Sequence, residues 1–255
     1  MSANSTERFS DRADNYVKYR PSYPAEIIDI LTQKTSFLAT SSVADIGSGT
    51  GISAKLFLDN NCTVFGVEPN QAMRIAAEKW LQPYPAFRSI AGTAEATTLP
   101  DCSVDYAIAA QAFHWFDPVA TKRELARILK PSGWFVLIWN VRRLSSTPFL
   151  QAYESFLQKY GTDYTAVGHR VVDHSKLQSF YGQEPTLKKL YNEQTLDLPS
   201  LAGRLLSSSY VPNAEHPNFR SMLNELEALF EQYNENGIVR LEYDTELYWE
   251  HIVYS

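Results

Sequence analysis

The chain of 255 residues has few cysteines, no long apolar run and no regular spacing of histidines. Its two cysteines, Cys62 and Cys102, form no C-x-x-C pair, which favours free thiols over a disulfide framework. The five histidines lack metal-ligand spacing, so no metal is predicted. No apolar run approaches the roughly 18 residues that a membrane helix needs, and the polar N-terminus lacks the apolar core of a signal peptide. These absences predict a cytoplasmic protein without a membrane span.

Basic residues are fewer than acidic residues, with 23 Lys and Arg against 29 Asp and Glu, which gives a formal net charge of -6. Without a basic stripe or tail, the chain as a whole repels a phosphate backbone, so nucleic acid is not a predicted partner. Hydrophobic residues make up 44% and charged residues 20%, which is typical of a folded globular protein. The sequence leaves a monomer and a homodimer equally open.

Short apolar runs alternate with amphipathic helical patterns across the middle of the chain. The predicted strands are 42–47, 63–68, 86–92, 103–110 and 133–140, and the predicted helices are 52–58, 71–79 and 119–129. Residues 130–133 read as a turn between helix and strand. Such alternation predicts a parallel sheet with helices on both faces.

The flanking segments have other patterns. Residues 10–20 look helical until Pro21, and a second predicted helix has Pro24 in its first turn and Leu38 as its last apolar position. Beyond Asn140 the predicted helices are 147–160, 174–182, 199–208 and 216–235, and the predicted strands are 187–198 and 237–254. With no repeat or linker, we expect a single domain over 1–255: N-terminal helices in 1–40, a core in 41–140, and further helices and the last two strands in 141–255.

The most informative motif is VADIGSGTG, where a predicted strand runs into Gly47, Gly49 and Gly51 and a helix follows. Three alternate glycines let the backbone turn sharply and leave no side chain between it and a ligand. Glu68 ends the next strand, 17 positions after Gly51, where a carboxylate can bridge two ribose hydroxyls. The combination predicts a nucleoside-containing ligand, against the alternative of a tight turn that binds nothing.

Two ligand classes fit such a loop. Dinucleotide binders use G-x-G-x-x-G, with the pyrophosphate at the helix N-terminus. Here the third glycine comes one position earlier, which favours a ligand without phosphates, such as S-adenosylmethionine. Asp45 also favours S-adenosylmethionine over a dinucleotide, because a carboxylate repels a pyrophosphate but attracts an ammonium group, directly or through water.

With these motifs, the sequence resembles the class I S-adenosylmethionine-dependent methyltransferases of the type 11 group, which includes trans-aconitate and quinone-biosynthesis methyltransferase-like proteins. The resemblance is good over residues 9–140 and looser beyond. It implies a Rossmann-like, doubly wound α/β sheet of seven strands with an antiparallel last strand, and helical insertions in the C-terminal half.

The resemblance also implies how the cofactor is held. Under it, FSDRADNYVKYRPSYP (9–24) is a lid, in which Arg20 binds the methionine carboxylate and Tyr16 or Tyr19 packs nearby. VFGVEPNQAM (64–73) places Glu68 on the ribose, and GTAEATTLPDCSVD (92–105) closes on the adenine. The candidate cofactor residues are Tyr16, Arg20, Asp45, Gly47, Ser48, Gly49, Gly51, Glu68, Pro69, Asn70, Thr93, Ala94, Glu95 and Gln111.

The motif AQAFHWFD (110–117) is where cofactor and acceptor meet in the family that the chain resembles. A methyl group on a sulfonium is already activated, so the protein mainly has to position the acceptor and exclude water. His114 is the candidate base if the acceptor is protonated, although the sequence slightly favours the His-Trp pair as a shape element beside the ligand. Gln111 is the second candidate at the transfer site. Candidate acceptor contacts, each also open to a role in the core, are Trp115, Trp139, Phe149, Tyr153 and Tyr210.

Two other functions remain open on sequence alone. One is a protein of the same fold that binds the cofactor without catalysing methyl transfer. The other, which the early third glycine counts against, is an NAD(P)-dependent oxidoreductase. The acceptor, expected to be a small molecule, is not identified, and O-, C- and N-methylation are all compatible with the sequence.

Overall fold

Seven strands form one mixed sheet in the computed structural model, which describes residues 17–162, 164 and 173–253. The strand order is β3-β2-β1-β4-β5-β7-β6. Strands β1 to β5 are parallel to one another, whereas β7 runs antiparallel between β5 and β6. The strands are β1 Ser42–Ile46, β2 Thr63–Val67, β3 Phe87–Ile90, β4 Val104–Ala110, β5 Leu129–Arg142, β6 Thr186–Leu196 and β7 Val239–Glu250.

Two helices between strands of the parallel core begin at a side-chain cap. Asn70 accepts a hydrogen bond from the Met73 amide, and Asp117 accepts one from the Ala120 amide just before Pro118. The helices are α1 Glu26–Lys34, α2 Ile52–Leu58, α3 Gln71–Trp80, α4 Pro118–Ile128, α5 Pro148–Tyr160, α6 His174–Tyr181, α7 Leu198–Leu206 and α8 Phe219–Tyr233.

The central strands are buried on both faces. In β5, Phe135 and Leu137 pack into one apolar cluster, while Val136 and Ile138 pack into another on the opposite face. Successive side chains of a strand point to opposite faces, so a continuous apolar run is what a sheet covered on both sides requires. The doubly wound seven-stranded fold with an antiparallel last strand is therefore confirmed.

A third apolar cluster lies outside this core. Helices α5, α7 and α8, which we call the cap, bury residues such as Leu150, Leu205 and Met222 together with Tyr243 of β7. These are the helical insertions predicted for the C-terminal half. The cap adjoins β5 where that strand runs on past β4: Ala110, the last residue of β4, pairs with Ile138, while β5 continues to Arg142.

Some local predictions were wrong. The second predicted helix begins at Glu26 and ends at Lys34, so Leu38 lies beyond it with 63% of its surface exposed. Residues 130–133 belong to β5 instead of forming a separate turn, although the β4–β5 register shifts there and Ser132 has a φ of 66°. A bulge of this kind changes direction locally while the strand continues, so its turn-like sequence is misleading.

The first described residues cross the outer end of the sheet. The carbonyl of Tyr19 accepts a hydrogen bond from Gln194 of β6, and that of Ser22 accepts bonds from Asn192 and Asn140. Arg20 donates to the carbonyl of Ser207, just after α7. We call residues 19–22 the strap. The helix predicted over 10–20 is described only from residue 17 onward, so residues 10–16 lie outside the described part.

In the described ranges, no helix combines the length and the apolar character that crossing a membrane requires.

The strap depends on a glycine of the cap, which gives a testable prediction. A Cβ added at Gly203 would lie 2.3 Å from the Tyr19 ring, so Gly203→Ala should displace the strap. Overpacking of this kind typically costs about 1–3 kcal/mol. We expect a lower melting temperature and faster tryptic cleavage after Lys18. An unchanged melting temperature together with an unchanged cleavage rate would show that the strap is not held by this contact.

Candidate functional site

The glycine loop lies between β1 and α2 at the carboxyl end of the sheet. Gly47, Gly49 and Gly51 all have positive φ angles, of 70°, 55° and 86°. A Cβ at Gly47 would lie 2.7 Å from Ala112 Cβ, and one at Gly51 would lie 2.6 Å from a Leu81 methyl group, whereas one at Gly49 meets nothing within 4 Å. Gly47 and Gly51 thus permit close packing, and Gly49 borders open space where a ligand can approach the backbone.

Glu68 connects this loop to the end of β2. Its Oε2 accepts a hydrogen bond from the Gly49 amide at 3.0 Å, and its Oε1 accepts one from the Asn70 amide at 2.8 Å. Burial raises the pKa of the Glu68 carboxyl above its usual value, and these two amide bonds partly offset the effect. An ionised carboxylate has about four acceptor positions, so each oxygen retains capacity for a further donor. Two adjacent hydroxyls of a ribose suit that capacity.

Arg74 holds the backbone beside Glu68. Its Nη1 donates to the carbonyl of Glu68 at 2.8 Å and to that of Pro69 at 2.9 Å. Two carbonyls that leave the end of β2 are thereby tied to the first turns of α3, which keeps the Glu68 carboxylate at the loop. Arg74 was not among the residues predicted from the sequence. Its position six residues after the strand-end acid was the available signal.

Asp45 lies fully buried beneath the glycine loop. The Ser53 hydroxyl donates to its Oδ2 at 2.7 Å, while its Oδ1 has no partner among the described residues. Burial, with a smaller contribution from the Glu68 carboxylate, raises the pKa of Asp45 to about 7. A buried acceptor without a donor is costly, and an ammonium group, directly or through a water molecule, would satisfy it.

These features fit S-adenosylmethionine. The open space at Gly49, the remaining acceptor capacity of Glu68 and the unpaired oxygen of Asp45 correspond to a backbone contact, a ribose and an ammonium group. The three groups lie on or beside the same loop, so the structure brings together the central part of the predicted cofactor set. Ser48, also in this loop, is buried.

The segment predicted to contact the adenine is ordered by its own bonds. Thr93 pairs with Ala96 through two backbone hydrogen bonds, and Ala94 is buried in the core. The Glu95 carboxylate accepts a hydrogen bond from the Asp117 amide at 2.9 Å. Glu95 therefore fastens this segment to the start of α4, a function that the sequence analysis did not predict.

At the end of β4, Gln111 adopts a φ of 56° and donates through Nε2 to the carbonyl of Asn140 at 3.1 Å. His114 follows on a short 3-10 helix, Phe113–Trp115, with an exposed side chain whose ring lies 4.7 Å from that of Trp115. Gln111 thus joins the carboxyl ends of β4 and β5, while His114 is accessible to solvent.

The predicted acceptor residues do not form one cluster. Trp139 is 7% exposed and packs edge-on against Phe113 in the sheet core, whereas Phe149 belongs to the cap, where it stacks on Tyr153. Tyr210 is half-buried, with its ring 5.1 Å from that of Tyr164, and Trp115 is half-buried beside His114. Tyr16, the remaining lid candidate, lies outside the described residues.

Comparison with known proteins gives a match for the segment that carries the site. Residues 44–137 match a methyltransferase domain family, type 11. The chain is 37% identical over 134 residues to an uncharacterized methyltransferase of Mycobacterium bovis, covering 52% of each protein. It is 32% identical over 151 residues to one of Schizosaccharomyces pombe, covering 59% of this chain and 58% of that protein. The chain spans about half the length of the curated relatives it matches.

Solved structures extend the likeness in fold. A methyltransferase from Anaeromyxobacter dehalogenans aligns with a TM-score of 0.65 and 21% identity, covering 93% of this chain and 100% of that one. One from an antibiotic biosynthesis pathway of Anabaena variabilis aligns with a TM-score of 0.61 and 22% identity, covering 89% and 98%. Residues 44–137 therefore match a methyltransferase domain family, and the chain shares the fold of these solved methyltransferases, as the resemblance predicted.

Proposed function

We propose that the protein transfers a methyl group from S-adenosylmethionine to a small organic acceptor. The observation that carries the proposal is the Glu68 carboxylate, held on the Gly49 amide beside open space at the carboxyl edge of a methyltransferase sheet. Ligands of open α/β sheets bind at this edge. Methyl transfer is proposed for the whole protein, whereas the family match covers residues 44–137 alone.

Both acidic and basic side chains would hold the cofactor at the carboxyl edge of the sheet. Glu68 would accept from the ribose hydroxyls, Asp45 would face the ammonium group, and Arg20 would bind the methionine carboxylate as a planar guanidinium does well. The remaining predicted contacts are the loop residues Gly47, Ser48, Gly49 and Gly51 and, around the adenine and methyl group, Pro69, Asn70, Thr93, Ala94, Glu95 and Gln111.

When bound, S-adenosylmethionine would supply an activated methyl group, because the methyl–sulfur bond can break with its electron pair left on sulfur as a neutral thioether while an electron pair of the acceptor bonds to the methyl carbon. The chain's own task is to align that lone pair with the methyl group and to exclude water. Gln111 would line the transfer site from the end of β4, where its bond to Asn140 fixes its orientation. We propose that Trp115 and Tyr210, the half-buried members of the predicted aromatic set, contact the acceptor. Trp139 in the sheet core and Phe149 in the cap would pack beneath this contact surface.

The other expectations stay predictions: a cytoplasmic monomer or homodimer that binds no nucleic acid, with a lid formed by the N-terminal helices. A protein that binds the cofactor without turnover is the second candidate. Incubation with S-adenosylmethionine and a metabolite pool separates the two, since only an enzyme releases S-adenosylhomocysteine in proportion to added acceptor.

Glu68→Ala and Gly49→Val should each weaken S-adenosylhomocysteine binding by at least about tenfold, equivalent to 1.4 kcal/mol. The first removes the proposed ribose acceptor, and the second places a branched side chain at a φ of 55°, in the space proposed for the ligand. Titration calorimetry measures the affinity, with Glu78→Ala on the exposed side of α3 as a matched control. Wild-type affinity in both site variants would rule out the cofactor assignment.

Asp45→Asn should change stability in a pH-dependent way. The folded-state pKa of about 7 lies above the unfolded value near 3.8, so the contribution of Asp45 to stability is present below about pH 4 and is lost as pH rises toward 7. An asparagine cannot ionise, and its side-chain oxygen can still accept from Ser53.

The stability of Asp45→Asn relative to wild type should therefore increase between pH 5 and pH 8, as measured by thermal denaturation without ligand. The same substitution should weaken S-adenosylhomocysteine binding, because the charge facing the ammonium group is lost. Asp29→Asn, exposed on α1, is the control. A stability difference that does not vary with pH would contradict the buried, proton-binding state of Asp45.

His114→Ala should leave the pH profile of kcat unchanged. The side chain is exposed on the 3-10 helix, and catalysis by positioning needs no base when the acceptor is already deprotonated. The profile is measured once an acceptor has been found. Loss of an ionisation near pH 6.5 in the variant would instead make His114 the general base.

A further inference from the structure

A buried arginine of the cap has no carboxylate partner among the described residues. Arg204 lies on α7 with 8% of its surface exposed, and its Nη1 donates to the Ser208 hydroxyl at 3.1 Å. Its Nε is buried and has no hydrogen-bond acceptor, and no carboxylate of the described residues forms a salt bridge with it. Lys and Arg are almost never this buried unless they are paired, because removing an unpaired ion from water is strongly unfavourable.

A second arginine nearby shows the ordinary arrangement. Arg142, at the end of β5, is paired with the carboxylate of Glu154 and also donates to the Tyr164 hydroxyl. Tyr164 and Gln158 donate to the same carboxylate, so Glu154 is fully engaged. Arg142 is thus neutralised inside the described part of the protein, while the positive charge of Arg204 is not.

The groups around Arg204 are hydroxyls. Burial alone would lower the pKa of its guanidinium, but the neighbouring Tyr243, Tyr210 and Tyr153 raise the pKa above its ordinary value, so the group stays charged. The Tyr243 hydroxyl donates to Gln194. No described residue accepts a hydrogen bond from the Tyr153 or Tyr210 hydroxyl. A guanidinium with a spare N–H beside two hydroxyl donors is suited to an anion.

The cluster lies toward the reacting end of the sheet. Tyr243 pairs with Arg142, which is four residues beyond Ile138, the partner of the last residue of β4. At the usual rise along a strand, this row stands roughly 13 Å past the edge of β4. The strap comes to the same place, because Arg20 donates to the carbonyl of Ser207, next to Ser208. The cluster therefore lies beyond the carboxyl edge of the sheet, at which the predicted cofactor residues are found.

We propose that Arg204, with the hydroxyls of Tyr153 and Tyr210, binds an anionic group of the methyl acceptor, a carboxylate or a phosphate monoester. The inference rests on the proposed function and narrows its acceptor to a small molecule with a negative charge and an apolar body. The acceptor is favoured over the cofactor as the source of the anion because the proposed function already assigns the methionine carboxylate to Arg20, and because α5, α7 and β7, which build the cluster, lie outside the matched domain at 44–137. Arg204 is a binding residue in this assignment and has no part in the chemical step.

The test measures thermal stabilisation of the S-adenosylhomocysteine complex by anionic probes. The carboxylate probes are octanoate and trans-cinnamate, their primary amides are the uncharged controls, and phenyl phosphate is the phosphate probe, each at up to 10 mM. Arg204→Met is the variant, since methionine fills similar volume without charge. Arg142→Met is the matched control, because it leaves the buried Glu154 without its partner. S-adenosylhomocysteine affinity is measured for every variant by calorimetry.

We expect a carboxylate probe or phenyl phosphate to raise the melting temperature of the wild-type complex, and the amides to have no effect. The probe that acts identifies the anion as a carboxylate or a phosphate. Arg204→Met should abolish this response, keep S-adenosylhomocysteine affinity within about twofold, and melt at or above the wild-type temperature, because it removes an unpaired buried charge. Arg142→Met should melt well below it.

Three results would overturn the inference. A tenfold loss of S-adenosylhomocysteine affinity in Arg204→Met would assign the anion to the cofactor. A lowered melting temperature of that variant, comparable to the loss in Arg142→Met, would make Arg204 structural. No wild-type response to either class of anion would show that the cluster binds none. If S-adenosylhomocysteine itself fails to bind wild type, the proposed function fails, and that result is distinct from these three.

Discussion

The hydrogen bond from the Gly49 amide to the Glu68 carboxylate joins the ends of β1 and β2, and the rest of the site depends on it. It requires a glycine with a positive φ in the loop, an acid at the end of the neighbouring strand, and Arg74 to hold that acid's backbone. Because β1 and β2 are parallel, both ends reach the same edge of the sheet. The carboxylate is thereby buried but ionisable, with acceptor capacity on the side where the loop is open.

Charge is distributed along the protein in a way that suits a ligand with several polar groups. Two buried carboxyl groups, Asp45 and Glu68, lie on the domain side, and the pKa of each is raised mainly by burial. Buried arginines lie on the cap side, where Arg142 is neutralised by Glu154, whereas Arg204 has no carboxylate partner in the part of the chain that the structure describes. Buried polar groups that lack a partner destabilise a protein, and a cofactor ammonium beside Asp45 and an acceptor anion beside Arg204 would supply partners. The ligand-free protein is therefore less stable than it would be with apolar residues at these positions, and the same residues would bind the cofactor and the acceptor.

The sequence predicted the sheet well because strands buried on both faces must be apolar throughout, as in Phe135 to Ile138. It predicted the loop and Glu68 because both belong to short local patterns. Other features depend on partners distant in the chain. Glu95 accepts from the amide of Asp117, 22 positions away. For Arg74, the spacing from Glu68 was a signal, but it did not show that the side chain donates to the carbonyl of Glu68. The sequence also could not separate Trp139, a core residue, from an aromatic residue that contacts a ligand, because both are large and apolar. Arg204 in the apolar stretch LAGRLL was a visible signal, but its lack of a carboxylate partner is a property of the fold alone.

A crystal structure of the protein with S-adenosylhomocysteine tests the central claim most directly. The account predicts that both ribose hydroxyls lie within hydrogen-bond distance of the Glu68 carboxylate, with the ligand passing over Gly49 and its amino group toward Asp45. A ligand bound elsewhere, or a ribose that does not contact Glu68 while the Gly49 bond stays intact, would contradict it.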